Sequence, residues 1–285
     1  AVLKGEKNPR KLAILKDIKS CFVYNSAPQI SSFECSNELF NKTHVLIQKA
    51  IQSNMQGVFT DCPQREKLGW IEQLHLNGPV LLYNYELKDF MPKIMQDLVD
   101  AQQPDGSVSS IAPMYNIFGN NKGFDEFGVS PEWGSSILIM PWMYYEFYGD
   151  SSLIVNNYQP MRRWVDYLTS RAQNHILSFG LGDWYDYGDF KAGYSRNTPV
   201  PFVATAYYFY ALKYLVKSAE MVGNTYDAAH YAALANEVRK TLNTKFFNSA
   251  TKQYANGSQT ANAMAIYMAI VEPEYKKAVL DNLVK

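Results

Sequence analysis

The chain has 285 residues, with 27 basic and 27 acidic side chains, so its formal net charge is zero. That length builds one large core or two smaller ones, and the charge balance speaks against a nucleic-acid partner. No apolar run of about 18 residues is present to span a membrane, and three cysteines and four scattered histidines, without CxxC or HxxxH spacing, make neither a disulfide scaffold nor a structural zinc site.

Taken in order, residues 1–33 read as extended. Leu12–Leu15 and Cys21–Tyr24 are short runs of apolar and β-type residues around a charged turn, suggesting the end of a preceding β-domain and a linker. From residue 34 the pattern becomes helical. Ser36-Asn37-Glu38 opens a helix that runs to about Met55 on the spacing of Leu39, Phe40, Thr43, Leu46, Ile47 and Ala50. A second helix is expected from about Lys67–Gln73 through Tyr85, broken or kinked at Pro79. Asp89–Gln102 is the next, with Phe90, Ile94, Met95, Leu98 and Val99 on one face. A long irregular stretch then runs from Ser107 to about Pro131, the kind of ordered loop that usually serves a function. Helical spacing resumes over Ser135–Tyr148, Leu153–Asn174, Pro201–Val222, Tyr226–Leu242 and Gln259–Val271, and another helix starts at Pro273. No GxGxxG, Walker A or βαβ pattern occurs, and no fixed-period repeat. Helix pairs joined by long loops suggest an α/α toroid, although an irregular bundle has the same periodicity.

The chemistry gathers on three loops, each pairing acids with tryptophan: Asp61-Cys62-Pro63-Gln64-Arg65-Glu66-Lys67-Leu68-Gly69-Trp70, Glu132-Trp133, and Asp183-Trp184. The chain is aromatic-rich, with 21 Tyr, 15 Phe and 5 Trp, and most of these rings serve a core whose phenol tips reach water. A few on loops are available to stack on a sugar. Carboxylates accept hydrogen bonds from sugar hydroxyls, and glycoside hydrolysis needs two carboxyl groups about the scissile bond. The plainer account of Asp61, Arg65 and Glu66 is a loop salt bridge or a helix cap.

Thr60–Trp70 resembles the signature of bacterial α-L-rhamnosidases of glycoside hydrolase family 78, and Ser130-Pro131-Glu132-Trp133-Gly134 and Gly182-Asp183-Trp184 resemble two further blocks in the same order. The resemblance implies an all-α, (α/α)6 six-hairpin toroid flanked by β-sandwich domains, over 34–285 here. It implies removal of terminal α-L-rhamnose, from a rhamnose-containing glycoside or polysaccharide, with inversion. No organic cofactor and no metal are implied. The family's general acid falls on Glu66. Asp61 and Arg65 match positions that bind sugar hydroxyls, and Trp70, Trp133 and Trp184 match the aromatic walls around the sugar and its C6 methyl. Glu132 and Asp183 are given binding or supporting roles.

Two departures stand out. Many members continue Trp70 as Trp-Thr-Gly-Asp, whereas this chain has Trp70-Ile71-Glu72-Gln73, which makes Glu72 the nearest acid and a candidate sugar ligand. The family's general base, a Glu in a late Gly-Ala-Thr-Thr-like block followed by Trp-Glu, has no counterpart before Lys285. With roughly eight or nine helices where a closed double ring has twelve, the expectation is an incomplete toroid, inactive by itself, with the base outside this chain. The rival expectations are another α/α-barrel glycosidase, a polysaccharide lyase, or a carbohydrate-binding protein without catalysis. The sequence assigns no compartment.

Overall fold

The computed structural model describes residues 16–114 and 125–284. In chain order its helices are α1 (Glu38–Asn54), α2 (Gln73–Leu76), α3 (Gly78–Asn84), α4 (Phe90–Ala101), α5 (Asp125–Gly128), α6 (Pro131–Gly134), α7 (Ser136–Tyr148), α8 (Ser152–Asn156), α9 (Tyr158–Arg171), α10 (Val200–Met221), α11 (Thr225–Phe246), α12 (Gln259–Tyr267) and α13 (Lys276–Leu283). Two small antiparallel hairpins interrupt them: β1 (Asp186–Gly188) with β2 (Phe190–Gly193), and β3 (Phe247–Asn248) with β4 (Gln253–Tyr254).

Burial sorts the long helices into two rows. In α7 every residue from Ser136 to Tyr144 is buried, and α10 buries residues around its whole circumference, from Phe202 to Ala219. A helix covered on all sides lies inside. By contrast, α4 buries only Met91, Ile94, Met95, Leu98 and Ala101, α9 only Tyr158, Met161, Trp164, Val165 and Leu168, and α11 the stripe Asp227, Tyr231, Ala235, Val238 and Leu242. Steps of three and four residues put each set on one face. Along the chain, outer α4, inner α7, outer α9, inner α10 and outer α11 alternate, which is a succession of helical hairpins. Helix α7 packs against α2, α3, α4, α9 and α10, and α10 in turn against α9, α11 and α12.

Local chemistry sets the helix ends. Asn37 Oδ1 accepts from Leu39 N at 3.0 Å to start α1, Asn224 Oδ1 accepts from Asp227 N at 3.0 Å to start α11, and Ser258 Oγ accepts from Ala261 N at 3.1 Å to start α12. The helix expected to run into Tyr85 is split between α2 and α3, with Pro79 in the first turn of α3, where its missing N–H costs nothing. The one expected from Leu153 likewise divides at Asn157 into α8 and α9.

The expected strand at Cys21–Tyr24 does not form. A strand needs a partner's ladder of peptide groups, and this segment is tied by isolated bonds, Gln56 Nε2 to Val23 O (2.9 Å), Asn25 N to Met55 O (2.8 Å) and Asn25 Nδ2 to Gln56 O (3.2 Å). Phe22, Val23 and Tyr24 are exposed. Leu12–Leu15 lies outside the described residues. Among the described residues no helix is long and apolar enough to cross a membrane.

The arrangement matters because the loops that lead into the inner helices come together. Residues 60–72 enter α2, 129–135 enter α7 and 179–199 enter α10. These segments carry the acid–tryptophan motifs.

Candidate functional site

The 60–70 loop is anchored at both ends. At the start, Thr60 Oγ1 donates to Asn54 Oδ1 at 2.8 Å and Thr60 N to Asn54 O at 3.0 Å. At the finish, Ala112 N donates to Gly69 O and Ile71 N to Ser110 O, each at 3.0 Å, so Trp70 is pinned opposite Ile111. Gly69 is required there, since a Cβ would stand 2.4 Å from Ala112 O. Between the anchors Lys67 turns the chain with φ 58, a left-handed conformation uncommon for a side-chain-bearing residue.

The loop forms one side of a cleft of about 460 Å³. Its polar lining includes Asp61, Arg65, Glu66, Glu72 and Gln73, all from one stretch of chain. Its aromatic lining comes from three segments: Trp70, then Phe127 and Trp133, then Trp184 and Tyr185. These rings meet edge to face, Trp70 with Trp133 at 5.3 Å and Phe127 with Trp184 at 4.8 Å between centroids, a geometry that braces each plate by its quadrupole. An acidic wall facing aromatic plates suits a sugar, which has hydroxyls on its edge and C–H groups on its faces. Phe127 and Tyr185 escaped the sequence reading. Phe127 sits in a stretch without periodicity, and only the adjacency of Tyr185 to Trp184 hints at its place.

Arg65 and Cys62 bind the acids together. Arg65 Nε lies 3.0 Å from Glu66 Oε2, and Arg65 Nη2 lies 4.0 Å from Asp61 Oδ2 and 3.2 Å from Cys62 Sγ. The Cys62 thiol donates to Glu66 Oε2 at 2.8 Å. Burial pushes the Asp61 carboxyl up, and the neighbouring Glu66 pushes it further. For Glu66 burial acts upward too, but hydrogen bonds from Cys62, Asp61, the backbone and Arg65 outweigh it and bring that carboxyl down to about 2. Of the two, Asp61 is therefore the one that holds a proton more readily, and they titrate as a unit. Asp61, Cys62 and Glu66 also place three potential metal ligands within 4.8 Å of one another. The guanidinium already supplies their positive charge.

Glu132 and Asp183 stand behind the cleft wall. Glu132, on α6 and 3% exposed, accepts from Gly182 N at 2.9 Å through Oε1. The loop that makes this bond needs Gly180, where φ is +120 and a Cβ would lie 2.7 Å from Glu132 Oε2. Asp183 Oδ2 accepts from Thr198 Oγ1 at 3.4 Å, and Thr198 in turn meets the α12 cap Ser258 at 2.8 Å. Glu132 ties the 179–199 segment, and with it Trp184, to α6, and Asp183 bonds across that segment to Thr198.

Burial raises the Glu132 carboxyl to about 7. The folded protein thus keeps this proton up to about pH 7, while the unfolded chain releases it near the ordinary value of 4.5. Folding therefore binds a proton in that window, and stability falls as pH rises through it, by on the order of 3 kcal/mol for this one group. Glu132→Gln keeps an acceptor for Gly182 and cannot ionise. Its stability relative to wild type, from urea midpoints, should rise between about pH 5 and about pH 8. An unchanged difference would refute the buried ionisation.

Known proteins match this architecture. Residues 28–285 fit the model of the bacterial alpha-L-rhamnosidase 6 hairpin glycosidase domain. An alpha-L-rhamnosidase of Streptomyces avermitilis is 30% identical over 264 residues, 92% of this chain and 24% of the relative, and one of Formosa agariphila is 26% identical over 272 residues, 94% and 28%. This chain thus spans about a quarter of the length of these curated relatives. The crystal structure of the Streptomyces avermitilis alpha-L-rhamnosidase complexed with L-rhamnose superposes with a TM-score of 0.81 at 29% identity, covering 92% of this chain and 24% of that one. The alpha-L-rhamnosidase from Dictyoglumus thermophilum superposes with 0.82 at 28% identity, covering 92% and 29%. The alternating inner and outer helices are therefore those of a six-hairpin glycosidase fold, and the chain belongs to the bacterial α-L-rhamnosidase six-hairpin domain family.

Proposed function

We propose that this chain supplies the sugar-binding and proton-donating side of a glycoside hydrolase that removes terminal α-L-rhamnose with inversion. The observation that carries the reading is the cleft itself, where the Asp61–Glu66 pair and Arg65 face Trp70, Trp133 and Trp184. The family membership and the names of the relatives support the same substrate class.

In this reading the aromatic plates take the apolar face of the sugar and its C6 methyl, while Asp61 and Arg65 bind ring hydroxyls. Glu66 is the general acid. A hydroxyl that draws Arg65 off Glu66 removes one of the bonds that depress its pKa and raises its affinity for a proton, which Glu66 takes up. Glu66 then gives that proton to the departing glycosidic oxygen as the C1–O bond breaks. The cleft's carboxylates among the described residues come from the single stretch 61–72. The base that takes a proton from the attacking water, on the opposite face of the sugar, lies outside this chain. In the full-length protein the flanking domains pack around this one.

The test is turnover of a panel of aryl glycosides by the full-length protein, with the first-formed product followed by proton NMR. Selective cleavage of the α-L-rhamnoside, with the β-anomer appearing first, is the expected result. Initial release of the α-anomer would refute inversion. Preference for a different glycoside, or appearance of an unsaturated uronate, would refute the substrate class.

A further inference from the structure

Cys62 is only 8% exposed, yet it is not part of the apolar core cluster. A buried free thiol usually serves as a small apolar side chain. This one lies among ions. It precedes the turn formed by residues 63–66, and a four-residue step across one turn brings its Sγ to Glu66. The thiol donates to Glu66 Oε2 at 2.8 Å and accepts from Arg65 Nη2 at 3.2 Å, while Arg65 Nε donates to the same Glu66 Oε2 at 3.0 Å. A second acceptor, Asp61 Oδ2, is farther away at 3.6 Å. Burial first, and then Glu66, push the Cys62 thiol up, so it keeps the hydrogen that it donates.

We propose that Cys62 is a positioning residue for proton donation: its thiol holds Glu66 Oε2, which leaves Oε1 as the oxygen that carries the proton to the departing group. This rests on the reading of Glu66 as the general acid and deepens it, because it names the oxygen that acts and the group that orients it. A neutral carboxyl bears its proton on one oxygen and accepts with the other. Oε2 already takes two donors, so the proton belongs on Oε1. In that reading Arg65 turns to a sugar hydroxyl once substrate binds, and the thiol is the donor that remains on Oε2. A carboxyl pinned at one oxygen has the other fixed in place, and an error of about 1 Å in the position of a reacting group costs on the order of a hundredfold in rate. As the C1–O bond breaks, the proton passes from Oε1 to the leaving oxygen, and Glu66 is left as a carboxylate that the thiol still holds. A thiol suits this task better than a second cation would. It orients Oε2 as a weak, neutral donor, whereas a fixed positive charge there would keep Glu66 ionised.

The experiment measures kcat and KM of the full-length protein on an alkyl and on a dinitrophenyl α-L-rhamnoside, for wild type, Cys62→Ala and Cys62→Ser. Each protein is compared at its own pH optimum, so that a change in the protonation of Glu66 does not enter. L-Rhamnose affinity is followed by calorimetry alongside. Cys62→Ala should lower kcat on the alkyl rhamnoside by about tenfold, the worth of one hydrogen bond to a charged group. On the dinitrophenyl rhamnoside, whose leaving group needs no proton, kcat should change by less than about twofold, and L-rhamnose affinity should hold. Cys62→Ser keeps a donor at the same place and should recover most of the alkyl rate. A loss in Cys62→Ala that is equal on both substrates, or that comes with weaker L-rhamnose binding, overturns the proposal, since a disturbed loop would give that result. So does an unchanged alkyl rate in Cys62→Ala, or a Cys62→Ser variant no faster than Cys62→Ala. An equal loss on both substrates in Glu66→Gln overturns the general-acid reading itself, which is a distinct outcome.

Discussion

Glu66→Gln in the full-length protein is expected to lower kcat on an alkyl α-L-rhamnoside by about a thousandfold, within the usual range for a lost general acid. The substitution preserves size and leaves an oxygen to accept from the Cys62 thiol and from Arg65, which now sit 2.8 and 3.0 Å from Glu66 Oε2. What it removes is the transferable proton. An alkoxide is a poor leaving group and needs that proton as the bond breaks, whereas a dinitrophenolate leaves without one. The loss should therefore shrink to less than about tenfold on the dinitrophenyl glycoside, with KM little altered. The dependence on leaving group separates proton donation from sugar binding. An equal loss on both substrates would make Glu66 a binding residue. The same selective loss in Glu72→Gln, and not in Glu66→Gln, would move the acid to Glu72, the cleft carboxyl that burial raises to about 7.

Trp164→Ala is expected to be the most damaging of the core truncations, costing about 3 to 5 kcal/mol and roughly 10 °C in Tm. Trp164 is fully buried on α9. It stacks on Tyr167 with centroids 5.6 Å apart and planes 20° apart, and its ring is so close to Gly134 that a Cβ there would lie 2.4 Å from two ring atoms. Its indole N–H points to Ser135 Oγ at 3.4 Å. Removing the ring leaves a void that the neighbouring helices cannot close, since α7 is held by contacts on all sides. Gly134 also ends the segment that carries Glu132 and Trp133, so the cavity opens directly behind the cleft wall. Rhamnose affinity in Trp164→Ala should fall along with stability. Full affinity in a variant whose Tm has dropped would show that the wall is set by other contacts.

These cases show which features were legible in the sequence. Helices α1, α4, α7 and α10 could be placed within a residue or two, because their apolar spacing and end residues are local properties. The stretch from Asp61 to Trp70 was recognisable as a site because its mixture of acids, guanidinium and indole serves no core helix. The extended run at Cys21–Tyr24 misled because β-type residues make a strand only with a partner. Glu132 and Asp183 were grouped with the cleft because each adjoins a tryptophan that lines it. Here both acids bond within the 179–199 loop, Glu132 to Gly182 and Asp183 to Thr198, while Trp133 and Trp184 border the cleft.

The order of helices and loops, and the concentration of cleft acids in one short stretch, were determined by the sequence alone, since periodicity, capping and motif are written along the chain. Only the tertiary structure decided how protons are shared among those acids. Asp61 and Glu66 are pushed apart by Arg65, Cys62 and each other, and the Glu72 carboxyl is raised to about 7 by burial. Such shifts depend on desolvation and on distances of a few ångströms between side chains, and these exist only once the loops leading into the inner helices have met.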